Sequence, residues 1–215
     1  MLKKERVIIV SETKELLEYT FHNIAGNVNV TEIVSNSIME NKFKLPVRDM
    51  QWLLEQNMDE ILIVIADNKE MTNIAKQLLS NDLQLIRNWI PYWMYESCEI
   101  PPERMYQLLG GNKERFKNAI LEIKKTKQIV MLHGNCQTHA ARYYLRQNEK
   151  FAERYVLIEM PQLWNAGHKQ KYDLLAELNI YEYVDILITQ IVSKNNRFGE
   201  HVSTEFISSL LNSFV

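Results

Sequence analysis

The chain has 215 residues, of which 46% are hydrophobic and 24% charged, enough to bury one large core or two smaller ones. Its formal net charge of -2 gives no overall basic character for nucleic-acid binding, and two cysteines are too few for a disulfide-stabilised secreted domain. The apolar runs are far shorter than the roughly 18 residues of a membrane-spanning helix, and the first residues lack a signal-peptide pattern, so we expect a cytoplasmic protein without a membrane span.

Strand-like and helix-like patterns alternate over the first half of the chain. The β-branched runs that predict buried strands are residues 7–10, 28–34 and 61–66. Ser11 is expected to cap a first helix, apolar spacing predicts a second helix over 47–56, and Asp67 opens a third helix over 67–79. This order implies parallel strands joined by crossover helices, and we assign residues 1–95 to a Rossmann-like α/β domain.

The alternation stops between residues 96 and 127. Pro101 and the pair Gly110-Gly111 punctuate this part of the chain, which then continues as a basic amphipathic helix over 112–127. We expect a helical connector over 96–127 whose charged face is solvated, since most runs of charge are.

The same alternation resumes from residue 128. Strands are predicted at residues 129–132, 155–158 and 184–189, and helices at 135–146, 169–178 and 204–214. Together they predict a second three-layer α/β unit with a parallel sheet over 128–215. Its apolar stripe continues to the last residue, which predicts a unit truncated at its C-terminus. Residues 101–215 hold 15 basic and 12 acidic residues, so this half suits an anionic ligand.

Polar segments follow the strands of the second half. In an open parallel sheet, ligands bind beyond the carboxyl ends of the strands, because loops and helix N-termini converge there. The segments are residues 133–137, 160–164 and 190–199, and they are rich in amides, hydroxyls and charged groups. We therefore expect the binding site at this edge of the second sheet.

Cys136 follows the first of these strands in a turn that suits reactive chemistry. Gly134 allows a sharp backbone turn, and Asn135 is a preferred helix N-cap. Cys136 would then lie in the first turn of the helix, where the positive end of the helix dipole favours a thiolate. The helix N–H groups and the Asn135 amide would stabilise an oxyanion. The alternative is that Cys136 is a small apolar residue that fills a tight turn.

A nucleophilic cysteine usually needs a neighbouring base. His139 lies one helical turn after Cys136, and His201 follows the third strand end, so these two histidines are the candidates. His133 points toward or away from the site depending on strand register, and His168 is expected on the surface. No metal site is predicted, because His133, Cys136 and His139 straddle a strand and a helix without a fourth ligand.

Two segments of the second half resemble the WcbI-type polysaccharide-biosynthesis family. They are the run IVMLHGNCQTHAARYYL and, later in the chain, VDILITQ. Members of that family have a strand ending in Gly-Asn-Cys-Gln, then a helix, and later an acidic residue before an apolar strand that ends in Gln. The matching positions, all within residues 128–215, are Gly134, Asn135, Cys136, Gln137, Asp185 and Gln190.

The resemblance implies an SGNH-hydrolase-like fold, binding of coenzyme A and acetylation of capsule sugars. By this analogy Cys136 occupies the position of the nucleophile and would be the nucleophile or a contact of the acyl group. Lys194 and Arg197 are expected to contact the phosphates of coenzyme A, since fixed cations near a polar loop suit a polyphosphate. Enzymes of the SGNH type supply an Asp and a His from a late segment, which does not appear before the end of this chain. Either that segment has been cut away, which leaves a partial site, or His139 or His201 substitutes for its histidine. The expected catalytic residues are Cys136, Asn135, His139 and His201, and the expected cofactor-binding residues are Gly134, Gln137, Gln190, Lys194 and Arg197.

These observations lead to three functional hypotheses. The first is an acetyltransferase of capsule or surface polysaccharide biosynthesis, which moves the acyl group of a coenzyme A thioester such as acetyl-CoA to a nucleotide- or lipid-linked sugar. The second is an SGNH-like esterase or deacylase that uses the same residues. The third is a non-catalytic binding or scaffold module of a larger polysaccharide-biosynthesis protein. It is favoured by the acidic first half, which has no glycine-rich turn for a phosphate, and by the missing late histidine. The other expected partners are a second copy of the chain or further domains of a longer protein.

Overall fold

The computed structural model describes residues 6–66, 69–96, 98–134, 136–161 and 168–212. The chain forms two compact units, the first comprising Met1–Glu96 with Leu108–Gly110 and the second Ser97–Gln107 with Gly111–Val215. Each unit contains one sheet, and every strand pair within the described residues is parallel. The prediction of two α/β units with parallel sheets is therefore confirmed.

The first unit has a five-stranded sheet in the order β3-β2-β1-β4-β5. Its strands are β1 (Arg6–Val10), β2 (Val30–Val34), β3 (Val47–Arg48), β4 (Ile61–Ile65) and β5 (Trp89–Pro91). Its helices are α1 (Lys14–Ile24), α2 (Met50–Leu54), α3 (Met71–Ser80) and α4 (Tyr92–Glu96). The central strands β1 and β4 are the predicted β-branched runs, and their residues 7–10 and 61–65 are at most 3% exposed. Such continuous apolar runs are typical of strands that are covered on both faces.

Residues 47–56 are part strand and part helix. Val47 and Arg48 pair with β2, and α2 begins only after Asp49. The Asp49 carboxylate accepts a hydrogen bond from the Trp52 N–H at 2.7 Å, which caps the helix. The predicted helix over 47–56 is therefore wrong at its start, because sheet pairing and an N-cap compete with the apolar spacing there.

Ser11 does not cap α1, so that prediction is wrong. Ser11 is fully buried, and its N–H donates to the Val34 carbonyl at 3.1 Å, which extends the pairing of β1 with β2. Its hydroxyl donates to the Thr13 carbonyl at 3.0 Å, and Thr13 occupies the N-cap position instead. The predicted cap Asp67 lies outside the described residues, and Glu70 precedes the first turn of α3.

The second unit has a four-stranded sheet in the order β6-β8-β7-β9. Its strands are β6 (Glu99–Ile100), β7 (Gln128–His133), β8 (Tyr155–Ile158) and β9 (Ile186–Thr189). Its helices are α5 (Pro102–Leu108), α6 (Lys113–Lys124), α7 (Cys136–Arg146), α8 (Glu149–Arg154), α9 (His168–Glu177) and α10 (Thr204–Asn212), with short 3₁₀ turns at Ile180–Tyr183 and Glu200–Val202. None of the helices in the described ranges combines the length and the apolar character that crossing a membrane requires.

Helices cover both faces of the second sheet. On one face, Val130 and Leu132 of β7 pack against Leu145 of α7 and Phe151 of α8. On the other face, the ring of His133 contacts Tyr172 of α9. The sheet is thus the middle of three layers, as expected for parallel strands joined by crossover helices.

Residues 96–127 contain a strand as well as helices. β6 pairs in parallel with β8 and forms one edge of the second sheet. The basic amphipathic helix predicted over 112–127 is α6, whose N-cap residue Asn112 accepts a hydrogen bond from the Arg115 N–H at 2.9 Å. The buried face of α6 consists of Phe116, Ala119, Ile120 and Ile123.

Asp185 joins the amino ends of β7 and β9. Its carboxylate accepts a hydrogen bond from the Ile129 N–H at 2.7 Å and another from Lys124 Nζ at 2.7 Å. Lys124 also donates to the Tyr183 carbonyl at 2.8 Å. Asp185, a position shared with the WcbI-type pattern, is therefore a structural residue at the end of the sheet opposite the expected site.

Replacement of Asp185 by asparagine should lower the free energy of unfolding by about 1–3 kcal/mol. The substitution removes the negative charge that accepts the hydrogen bond of the Ile129 N–H, and with it the ion pair with Lys124. Urea denaturation of the purified chain measures this change. The matched control is Asp173→Asn, which breaks an exposed pair with Lys169 and should change stability by less than about 0.5 kcal/mol. Equal effects of the two substitutions would contradict the structural role of Asp185.

Candidate active site at the carboxyl edge of the second sheet

The strand order of the second sheet creates a crevice between β7 and β9. Helices α7 and α8 after β7 cover one face of the sheet, whereas α9, which leads to β9, covers the other, so the strand order reverses between β7 and β9. Such a reversal leaves a ligand crevice beyond the carboxyl ends of the two strands. The turn after His133 and the loop after Thr189 border it. The polar segment 160–164 follows β8 on the far side of β7, and its residues 162–164 lie outside the described part of the chain.

Gly134 and Gln190 bring the two sides of the crevice together. The Gln190 N–H donates to the His133 carbonyl at 3.0 Å, which extends the pairing of β7 with β9. Gly134 has a φ of +151°, and a Cβ atom there would lie 2.8 Å from both Gln190 Oε1 and Thr138 Cγ2. Glycine is therefore required at this position, both for the backbone conformation and for the close approach of the Gln190 side chain.

The side chains of Gln137 and Gln190 meet across the crevice. The Gln190 amide donates to Gln137 Oε1 and so ties the first turn of α7 to the loop after β9. The structure thus brings together three predicted cofactor-binding residues, Gly134, Gln137 and Gln190. The Thr204 hydroxyl holds this loop by donating to the Gln190 carbonyl at 2.9 Å. Sequence reasoning missed Thr204, because a threonine at the start of a helix is ordinarily read as a cap.

Cys136 is the first residue of α7 and is exposed. It therefore does not fill an apolar gap, in contrast to Cys98, which is buried. The first N–H groups of a helix have no partner within the helix itself, so the thiol lies beside the backbone N–H groups of the first turn of α7. The proposed N-cap Asn135 lies outside the described residues.

The histidines occupy different layers around the sheet. His139 is exposed on α7, one turn after Cys136. His201 lies in the 3₁₀ turn Glu200–Val202, and its ring packs edge-on against Tyr172 with the centroids 5.8 Å apart. The ring of His133 packs against the same tyrosine with the centroids 6.2 Å apart, so both histidine rings contact Tyr172. The side chain of His168, expected on the surface, is outside the described part of the structure.

His133 is completely buried at the carboxyl end of β7. Its Nδ1 lies 3.1 Å from the Thr189 hydroxyl oxygen on β9, within hydrogen-bonding distance. Burial lowers the pKa of His133 to about 4, and the neighbouring backbone of Val202 opposes this shift without cancelling it. The ring is therefore neutral at pH 7 and belongs to the core below the crevice.

Lys194 and Arg197 lie in the loop after β9, where the resemblance expects contacts with phosphates. Lys194 Nζ forms an ion pair with Glu200 at 2.8 Å, and both side chains are 60% exposed. The guanidinium of Arg197 lies 4.7 Å from the centre of the Phe198 ring. Both cations thus have partners inside the loop, and a bound phosphate would have to compete with them.

The crevice combines an exposed thiol, a helix N-terminus and two carboxamide side chains. This set can attack a carbonyl carbon and can bind the oxyanion that forms on it. In the described ranges, no three His, Cys, Asp or Glu side chains are grouped as ligands for a metal ion. Comparison of the chain with models of known protein families, with curated proteins and with solved structures found no match.

Proposed function

We propose that the crevice between β7 and β9 is the active site of an acyl-transfer enzyme and that Cys136 is its nucleophile. The observation that carries this proposal is the exposed Cys136 thiol at the first residue of α7, next to the tight contact of Gly134 with Gln190. A thiol at the first residue of a helix lies beside the backbone N–H groups of the first turn, and such groups can bind the oxyanion that forms in acyl transfer.

The proposed reaction has two steps. In the first step, the Cys136 thiolate attacks the carbonyl carbon of an acyl thioester, the carbon–sulfur bond of the donor breaks, and the donor leaves as a thiolate. In the second step, a hydroxyl oxygen of the acceptor attacks the acyl-Cys136 carbonyl, the acceptor loses its proton, and the Cys136 thiolate is released. We assign the role of proton acceptor to His139, which is exposed one helical turn after Cys136.

Coenzyme A is the proposed thiol of the donor, and a sugar hydroxyl is the proposed acceptor. The support for both is the resemblance to the WcbI-type family. Lys194 and Arg197 are the cations available to the donor phosphates in the loop after β9. The ion pair of Lys194 with Glu200 is exposed and therefore weak, so exchange of the carboxylate for a phosphate has a low cost.

Incubation with acetyl-CoA in the absence of an acceptor tests this proposal. We expect release of one coenzyme A per chain and one acetyl group on Cys136, located by peptide mass spectrometry. The buried Cys98 in the same sample is the internal control and should remain unmodified. Absence of the adduct from Cys136, or equal acetylation of both cysteines, would contradict the nucleophile assignment.

A non-catalytic ligand-binding module is the second candidate. It is favoured by one observation, namely that the ring of His201, one of the two candidate bases, packs edge-on against Tyr172 of α9, with the ring centroids 5.8 Å apart, whereas a catalytic thiol is usually paired with a base. Equilibrium dialysis separates the two functions. If Cys136→Ala leaves the binding of acetyl-CoA unchanged and the wild type forms no acetyl-Cys136, the protein is a binding module.

A further inference from the structure

Helix α7, which carries Cys136, has little apolar contact with its sheet. None of the eleven residues Cys136–Arg146 is buried. The half-buried residues Thr138, Arg142 and Leu145 lie on the face that points toward the sheet, and Leu145 packs against the apolar cluster of β7 and β8. Most helices in proteins are held against their neighbours by a continuous apolar face. A single partly buried leucine gives α7 little apolar attachment to the sheet, so another interaction must hold the helix there.

Arg142 supplies this attachment. Its Nε and Nη2 donate to the two carboxylate oxygens of Glu99, with Nη2 at 3.0 Å from Oε2. Arg142 Nη2 also lies 3.3 Å from the Glu159 carboxylate, and Arg146 Nη1 lies 3.3 Å from Glu99. Glu99 is only 6% exposed at the start of β6, so this ion pair is anchored inside the second unit.

A buried two-bond pair of this kind determines where a helix lies. Both carboxylate oxygens are engaged, so Arg142 can neither rotate nor slide without losing a charged hydrogen bond. Removal of Glu99 would leave Arg142 with only the 3.3 Å contact to Glu159, and removal of Arg142 would leave the buried Glu99 with only the 3.3 Å contact to Arg146, so either change weakens the compensation of a partly or fully buried charge. Arg142 follows Cys136 by six residues, or about 9 Å along the helix axis. Together with the bond from Gln190 to Gln137, it fixes α7 at two points.

We propose that Glu99 and Arg142 are positioning residues that hold α7, and with it the Cys136 thiol, at the crevice between β7 and β9. They act through the helix and touch no reacting atom. Their importance for catalysis rests on the proposed acyl transfer, but the position of Cys136 can be measured without any substrate.

Glu99→Gln tests the proposal, because it removes the charge and keeps the shape of the side chain. A nitroxide attached to the exposed Cys136 reports the mobility of the start of α7 by electron paramagnetic resonance, and hydrogen exchange reports its backbone. At a temperature well below unfolding, we expect a clear increase in the mobile component of the spectrum and about tenfold faster exchange of the α7 amides. The control Glu177→Gln breaks the exposed pair with Lys113 in the same unit and should change neither signal.

A purely structural role of Glu99 predicts a different result. If Glu99→Gln lowers the melting temperature but leaves the spectrum and the α7 exchange as in the wild type, the proposal is overturned. If this variant does not fold, Arg142→Lys is measured in the same way, since lysine keeps the charge and loses the two-bond geometry. If the spectrum of the variant equals that of the wild type, the positioning role is overturned but the acyl-transfer proposal is not affected. If the variant shows increased mobility and the wild type forms no acetyl-Cys136, the acyl-transfer proposal is overturned and the positioning role is kept.

Discussion

Replacement of Cys136 by serine should lower the rate of acyl transfer by about a thousandfold or more, because a serine hydroxyl is not ionised at neutral pH and the covalent path is lost. The measurement is kcat/KM for release of coenzyme A from acetyl-CoA in the presence of a sugar acceptor. Binding of acetyl-CoA should be unchanged, since the two side chains have nearly the same shape. The loss should therefore appear in kcat rather than in KM.

Two further variants make this result interpretable. Cys136→Ala should be at least as inactive as the serine variant, because neither leaves a thiol at the start of α7. Asp173→Asn, an exposed position on α9, should retain the wild-type rate. Wild-type activity in both Cys136 variants would contradict the assignment of Cys136 as the nucleophile, whereas acetyl-CoA binding without any activity in the wild type would favour the binding-module function.

The stability of the chain should fall by up to about 3 kcal/mol between pH 6.5 and pH 4, because of His133 alone. In the unfolded chain, a histidine takes up its proton near pH 6.5, whereas burial lowers the pKa of His133 in the folded chain to about 4. Between these values only the unfolded state binds the proton, so acid favours unfolding. Above pH 6.5 neither state binds the proton, and His133 causes no loss of stability. Below pH 4 both states bind it, so the unfolding free energy falls no further on account of His133.

Urea denaturation at several pH values measures this effect, with His133→Gln as the variant that cannot titrate. The difference in unfolding free energy between wild type and variant should change over this pH range, and carboxylates that titrate in both proteins cancel in the difference. Met39→Ala is the control, because Met39 is exposed and has no titratable group, so its curve should run parallel to that of the wild type. Parallel curves for wild type and His133→Gln would be inconsistent with a buried, neutral His133.

The length of an element decided whether the sequence could predict it. The central strands β1, β4 and β7 were predicted, since each is a run of four or more buried apolar residues. The edge strands β3 and β6 have two residues each, which is too short for any periodic pattern to show. They exist because a neighbouring strand offers hydrogen bonds, and that information is absent from the local sequence.

The sequence predicted where in the fold the candidate site lies, but not which side chains contact one another there. The rule that ligands bind at the carboxyl ends of parallel strands was sufficient to choose the turn at Gly134 and the loop at Gln190. The side of the sheet on which His133 lies could not be predicted. Because β7 is covered on both faces, its residues do not alternate between apolar and polar, and no pattern indicates which face each side chain takes. The pair of Glu99 and Arg142 was missed for another reason, since 43 positions separate the two residues and only the folded chain brings them together.

The all-parallel pairing has a kinetic consequence. Arg6 must pair with Ile61 before the first sheet has its two central strands β1 and β4, and Val130 must pair with Ile186 before β9 joins the edge of the second sheet. Closing such long loops costs chain entropy before any contact compensates for it, so assembly is slow compared with that of a helical bundle of similar size. During this delay, the β-branched segments 7–10 and 61–65 are exposed to other chains, and slower synthesis at lower temperature should therefore increase the yield of native protein.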